Sequence, residues 1–372
     1  MLTPEQIAGL QIAAGRIADP INDYLLRDIA RRIQDAGELT STAAYELYRS
    51  KLLGSDMRQI KAKLAKLLGT TQQDAAQLIM DAAKHGYDLQ QLPGLIPFER
   101  NTAVQQIVQA AVELVGEELY NITQTEAILM YDPYGNPCPL SDVYVRCTDF
   151  AFKQVFTGAA SYTTAIERAC NGIVQHGVGV SYASGVHTSL EAAVRRNIMG
   201  GLGLMVEKIT QHNHDALGCN GWEISAHANS APDHEPIQGR QYSDAEYEAL
   251  NNSLVRRIGT LNCGHTASPI IMGVNSPQYT PEQLEKLRQD NEKGVTVDGR
   301  HYTGYQATQM QRKLERAIRK QKRRITMAAP EDADAAASKL EILKQKYTGF
   351  SRSAHLRTES ERLSVSGFKI KK

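Results

Sequence analysis

The sequence predicts a predominantly helical α+β chain: an N-terminal helical bundle, an irregular His/Cys-containing α+β module, and basic C-terminal helices. Three observations carry this. Apolar residues recur at steps of three and four behind helix-start signals through residues 1–121 and again beyond 304. Between 218 and 303 that rhythm gives way to Gly, Asn and Pro, and three His and one Cys fall within under forty residues. Charge is also segregated: residues 312–372 hold 17 Lys/Arg against 7 Asp/Glu, and residues 1–311 hold 25 against 34, so a net charge of +1 conceals a basic end on an acidic body. The 372 residues, 42% of them apolar, suffice for more than one unit, and the pattern shifts place boundaries at 1–121, 122–217, 218–303 and 304–372.

Thr3-Pro4-Glu5-Gln6 opens the first helix, with a hydroxyl cap, proline in the first turn and Gln to reach back. Ile21, Leu25, Ile29 and Ile33 make one stripe on the next, which Gly37 ends. Thr40-Ser41-Thr42 caps a helix that Gly54-Ser55 is expected to break. Ile60, Leu64, Leu67 and Leu68 mark another that runs to Gly69, and Thr70-Thr71-Gln72-Gln73 opens a further one. A helix over roughly 101–121 closes this part. Residues 122–186 are mixed: a dense turn at 131–137, an ambiguous Val143-Tyr144-Val145, a helix at 163–175, then glycine-rich loop or short strand. Thr188-Ser189-Leu190-Glu191 reads as a capping box for a helix to about Gln211, with Gly200-Gly201 as a break point. Ser243-Asp244-Ala245-Glu246 and Thr280-Pro281-Glu282-Gln283 open two short helices. The turn Asp298-Gly299-Arg300 leads to a basic helix, 304–326, striped by Met310, Leu314, Ala317, Ile318 and Ile325. Pro330-Glu331-Asp332 breaks it, and a last helix spans 333–347. The basic end, 364–372, needs a partner to hold it.

Several classes are disfavoured. No run of eighteen apolar residues exists to span a bilayer, and the start lacks the basic and apolar regions of a secretory signal. Five cysteines, odd in number and without C-x-x-C, fit buried thiols in a reducing compartment.

His227, His234, Cys263 and His265 supply nitrogen and sulfur ligands of the kind zinc prefers. The plainer reading, favoured because no C-x-x-C accompanies them, is that they hydrogen-bond to loop backbone and bury a thiol. A third reading makes Cys263 and His265 a nucleophile and base, or lets a metal activate water near Asp233, as in a hydrolase. No His-Glu-x-x-His, G-x-S-x-G or Walker loop supports that chemistry. His212 and His214 suit the dipole of a helix end. Arg195-Arg196 reads best as half of a structural ion pair. In the basic helix, Arg312, Lys313, Arg316, Arg319, Lys320, Lys322, Arg323 and Arg324 stand against one acid, Glu315. Such one-signed enrichment points to DNA phosphates or to an acidic protein surface.

In order along the chain, several motifs resemble the phage minor capsid protein 2 family of tailed phages and prophages. They are Ile29-Ala30-Arg31-Arg32-Ile33 with Ala36-Gly37-Glu38-Leu39-Thr40, Val180-Ser181-Tyr182-Ala183-Ser184-Gly185, Ser225-Ala226-His227, Pro232-Asp233-His234, Gln238-Gly239, Asn262-Cys263-Gly264-His265, and Tyr305-Gln306-Ala307-Thr308-Gln309. Each is weak alone; their shared order over some 300 residues is specific. The chain departs from the family at Ala231 and Gly264, where arginine is common. The resemblance implies a minor head protein, made in the host cytoplasm and built into the virion head near the portal. The partners it implies are portal and major capsid proteins, with genomic DNA a further candidate. It supplies no catalytic residues.

Overall fold

The computed structural model describes residues 4–88, 96–122, 127–182, 184–260, 263–328, 333–365 and 368. Helix α1 (Pro4–Arg16) leads into α2 (Asp19–Gly37), where the predicted stripe of Ile21, Leu25, Ile29 and Ile33 is fully buried. Each such side chain contributes about 1.5–3 kcal/mol on burial. Helix α3 (Thr42–Lys51) is capped by the Ser41 hydroxyl, which accepts from Ala44 N–H.

Two expected breaks do not occur. At Gly54-Ser55 a π-helical turn (Leu52–Asp56) carries the chain straight into α4 (Met57–Asp88). The wide turn sends Leu52 and Met57 into the core and aims Asp56 at Arg32, 2.6 Å away. At Thr70-Thr71 no new helix starts, because the two hydroxyls bond back to the carbonyls of Lys66 and Leu67 (3.3 and 2.9 Å) and α4 continues. Helix α5 (Thr102–Ile122) starts where the Asn101 side chain accepts from Val104 N–H.

Strands β1 (Ile128–Tyr131) and β2 (Pro137–Pro139) form the hairpin of the 131–137 turn, and β3 (Gly179–Ser181) and β4 (His187–Ser189) complete an antiparallel sheet ordered β2-β1-β3-β4. The ambiguous Val143-Tyr144-Val145 belongs to α6 (Leu140–Phe156). Its Leu140, Val143, Tyr144, Cys147 and Ala151 are buried at helical spacing, so packing overrides the strand preference of the valines. Helix α7 (Tyr162–His176) precedes β3, and α8 (Leu190–Ala216) follows β4. The cap of α8 is Ser189, whose side chain accepts from Ala192 N–H, so the expected box with Glu191 does not form.

Gly200 and Gly201 do not break α8. A side chain at Gly201 would collide with Val115 of α5, and one at Gly203 with the Gly259 carbonyl, so these glycines are contact points. One apolar cluster runs from Ile7 in α1 through α2 and α4–α8 to Ile209.

Beyond it, β5 (Gly221–Ile224) sits between β6 (Gln241–Ser243) and β7 (Ala267–Ile270). Helices α9 (Asp244–Ser253) and α10 (Pro281–Lys293) begin where predicted, each with a full capping box. The hairpin of β8 (Val295–Val297) and β9 (Arg300–Tyr302) turns at Asp298-Gly299 and feeds α11 (Gly304–Met327). Helix α12 (Ala333–Ser353) packs Leu340 and Tyr347 on Ile318, while Met327 at the far end of α11 enters the main core. The break expected at 330–332, and most of 364–372, lie outside the described residues. Among the described residues no helix is long and apolar enough to cross a membrane.

Candidate metal centre and arginine-lined cleft

The His/Cys segments are tied to the sheet at their stems. After β5, Ser225 N–H donates to Thr266 O (2.8 Å), and its hydroxyl accepts from Thr266 N–H (2.9 Å). The loop bearing His227 and the segment bearing Cys263 and His265 are thereby held side by side. Between them the chain coils through tight turns around His234. It rejoins the sheet where Gly239 N–H donates to Ile224 O (2.8 Å).

Three of the four predicted ligands meet. Cys263 Sγ lies 3.3 Å from His234 Nδ1 and 3.4 Å from His265 Nδ1. The three ligating atoms lie within 4.8 Å of one another on buried residues. The far nitrogen of each ring fixes its tautomer. His234 Nε2 lies 2.9 Å from the Arg256 carbonyl, and His265 Nε2 lies 3.1 Å from Gln238 Oε1. That Oε1 also accepts from His227 N–H at 3.1 Å, which identifies it as the oxygen. Both rings therefore carry the proton on Nε2 and turn an Nδ1 lone pair toward the thiol.

His227 stands beside this group, outside the set of mutually close ligand atoms. Its ring lies 4.2 Å from that of His265. Its Nδ1 faces the Ala228 carbonyl at 2.9 Å, leaving Nε2 as a buried lone pair with no partner among the described residues. Gly264 permits this approach: a Cβ there would stand 3.0 Å from that Nε2.

Burial pushes the His265 imidazole down to about 3, with His227 and His234 adding to the effect. Burial also lowers His234 and raises the Cys263 thiol. A protonated thiol is a weak nucleophile, although Cys263 Sγ and His265 Nδ1 stand 3.4 Å apart, as the nucleophile-and-base reading requires. Asp233 is clamped by Arg256 (2.6 and 2.9 Å), whose guanidinium holds its carboxyl below the usual range.

Much of the basic helix's charge is engaged within the chain. Of the eight sequence-predicted residues only Lys313 and Arg316 are exposed. Arg312 pairs with Glu315 (3.2 Å) and Arg324 with Glu167. Arg319 faces Glu191 (3.8 Å) and donates to Arg362 O (2.6 Å). Lys322 donates to Leu363 O (2.6 Å), Lys320 to the Gln175 side chain, and Arg323 is packed against Gly177.

What the sequence did not reveal is a cleft of about 900 Å³ where α1, the start of α8, the His/Cys loops, α11 and the 357–364 segment converge. Arg16, Arg195, Arg256, Arg312, Arg316, Arg319, Arg357 and Arg362 line it, against Asp19, Glu191, Glu315 and Glu361. His227, His234, Cys263 and His265 open onto it. Among the described residues Arg195 makes no ion pair, contrary to the expected pairing, and the Nε of Arg195 and of Arg362 are buried without partners. Burial, reinforced by Arg312, pulls Arg362 down to about 10, and burial with Arg319 lowers Arg195. Burial and the neighbouring Glu191 raise Asp19 to about 7. The signals in the sequence were the Arg195-Arg196 pair and the basic helix, whose Arg312, Arg316 and Arg319 face the cleft; that these and the other arginines converge was not legible, because they come from segments far apart in the chain.

His214 does more than cap α8. It is stacked on Trp222 (4.8 Å), with Asp244 and Asp215 at its two ring nitrogens (2.9 and 3.1 Å).

The model of the phage minor capsid protein 2 family matches residues 2–350. No curated protein and no solved structure matches the chain.

Proposed function

We propose that this chain, which belongs to the phage minor capsid protein 2 family, is the portal-proximal member of the head and acts in head assembly or in packaging and delivery of the genome. Membership makes it a structural component of the phage head, with other head proteins as its partners. The observation that carries the reading is the family match over nearly the whole chain. The cleft suggests how a neighbour is held. Eight arginines against four acids leave it cationic, and Ile7, Ala8 and Ile12 give one wall an apolar character. A mixed wall of this kind suits an acidic segment of a neighbouring head protein. Few of the basic side chains on α11 are free to meet a duplex, since most are half-buried and partnered within the chain.

The placement is tested by quantitative mass spectrometry of density-purified particles, DNA-filled and empty, with cross-linking to the portal. A fixed low copy number in both, with cross-links to portal, is the expected outcome. Absence from particles overturns the proposal, and presence only in filled heads shifts the partner to DNA. For the cleft, the double variant Arg195→Gln/Arg362→Gln is expected to weaken binding of a poly-glutamate peptide tenfold or more at low salt. Equal binding by variant and parent, or binding unaffected by salt, removes the cleft from the account.

A further inference from the structure

We propose that His234 Nδ1, Cys263 Sγ and His265 Nδ1 bind a zinc ion as three protein ligands, with the fourth position open to the cleft. The inference does not depend on the proposed place in the head.

The first argument is a count of protons. Both imidazoles spend their ring proton on an oxygen acceptor at Nε2, so two Nδ1 lone pairs face one thiol. The thiol has a single hydrogen and satisfies one of them. The other is left against a sulfur lone pair in a buried site, and such an unsatisfied acceptor is costly. Exchanging the thiol proton for a divalent ion satisfies all three atoms at once: the thiolate and two neutral imidazoles donate their pairs to the ion, and one proton leaves to solvent.

The second argument is metric. With zinc–sulfur near 2.3 Å and zinc–nitrogen near 2.0–2.1 Å, a tetrahedron has an S···N edge of about 3.5 Å. The two S···N distances are 3.3 and 3.4 Å. One thiol hydrogen bond accounts for one of these contacts and leaves the other without a proton, and the ligand atoms of the three residues lie within 4.8 Å of one another.

The third is the support behind the ligands. A ligating histidine ordinarily donates its other N–H to a carbonyl or carboxylate, which fixes the ring and strengthens the ligand. Arg256 O does this for His234, and Gln238 Oε1 for His265. Asp233 in turn anchors the Arg256 side chain, so the loop that offers the carbonyl is itself tied down. His227, whose Nε2 is a buried lone pair without a partner among the described residues, lies beside His265. It stands outside the ligand set, with a lone pair that can accept from a water at the fourth position.

The test uses the full chain, purified with a tag free of histidine. Metal analysis is expected to give one zinc per chain. Cobalt substitution is expected to give a thiolate-to-cobalt charge-transfer band, and X-ray absorption of the zinc-loaded protein one sulfur and two or more nitrogens. Cys263→Ser should abolish the band, and His265→Gln should reduce zinc occupancy at least tenfold at limiting metal; Cys219→Ser should change neither. If the variants fail to fold, the cobalt and X-ray measurements on the unaltered chain still decide. No retained ion and no charge-transfer band, a sulfur-free coordination sphere, or a band that survives Cys263→Ser each overturns the proposal.

Discussion

Substituting alanine for two glycines three residues apart on α8 should change stability in opposite directions. At Gly200 a Cβ meets nothing within 4 Å. There the substitution only relieves the entropy that glycine loses in a helix, and it should stabilise by about 0.5–1 kcal/mol. At Gly203 a Cβ would collide with the Gly259 carbonyl oxygen and stand 3.2 Å from its carbon. The obstacle is backbone, which cannot rotate away, so α8 and the 259 loop must separate. Overpacking of this kind costs about 1–3 kcal/mol. The two variants should therefore differ by about 1.5–4 kcal/mol in urea unfolding, with equal m-values. The displaced loop leads directly to Cys263, whose N–H donates to Thr260 O at 2.8 Å. Gly203→Ala should therefore also weaken metal retention, whereas Gly200→Ala should leave it unchanged. Equal stabilisation by both alanines would refute the reasoning, because it would mean that the glycines are tolerated defects of the helix and not a seat for the loop.

Two further outcomes follow from buried charge. Arg32 is 7% exposed at its side chain and holds Asp28 and Asp56 at 2.8 and 2.6 Å; Arg32→Met leaves Asp56 without its cation and Asp28 with only Arg31 (2.7 Å) and the Tyr144 hydroxyl (3.0 Å), and should cost about 3–5 kcal/mol in urea unfolding, and a loss below about 1 kcal/mol would mean that water and Arg31 replace the guanidinium. Asp19, facing Glu191, Asp23, Arg16 and Arg319, keeps its proton to about 7 in the folded chain, against an ordinary value of 3.8. Between those two values the unfolded chain holds fewer protons, so this group removes stability as pH rises. Asp19→Asn should accordingly be more stable than the parent at pH 8, with the difference gone by pH 4; thermal melts across that range check it, and a gap that does not change with pH would show that Asp19 titrates normally.

Helices whose apolar stripe and cap lie within one segment were legible before any coordinates. The Ile21–Ile33 stripe of α2 and the helix starts at Ser243 and Thr280 depend only on neighbours three or four residues away. The sequence reading failed where a distant partner decides the outcome. Gly54 and Thr71 look like breaks in isolation. They stay helical because Arg32 receives Asp56 and because the threonine hydroxyls bond back to their own helix. Glycines of α8 look like breaks until Val115 and Gly259 are set against them. The His/Cys group was legible as a composition, but its convergence was not. It rests on Gln238 and on a backbone carbonyl, and no residue type announces a carbonyl. The cleft was least legible, since its arginines become neighbours only after α1, α8 and α11 have packed.

The charge segregation, so plain in the sequence, takes a different meaning in the fold. A basic end and an acidic body suggested an appendage reaching for an external anion. In the folded chain much of that attraction is satisfied internally: Arg324 meets Glu167, Arg319 meets Glu191, and Arg16 reaches Glu361 from the acidic side. These pairs are partly exposed, and each contributes little alone. Together they set how α11 and the 357–364 segment lie against α1, α7 and α8, and thus the shape of the cleft. Among the described residues, the cleft arginines left without an ion pair are Arg195, Arg316 and Arg362; the other five meet Asp19, Glu361, Asp233, Glu315, Glu191 or Glu359. An anionic partner would therefore be recognised by the excess that remains once the internal pairs are made, on a surface whose geometry those pairs determine. Added salt should then act twice, screening the partner and loosening the walls that receive it.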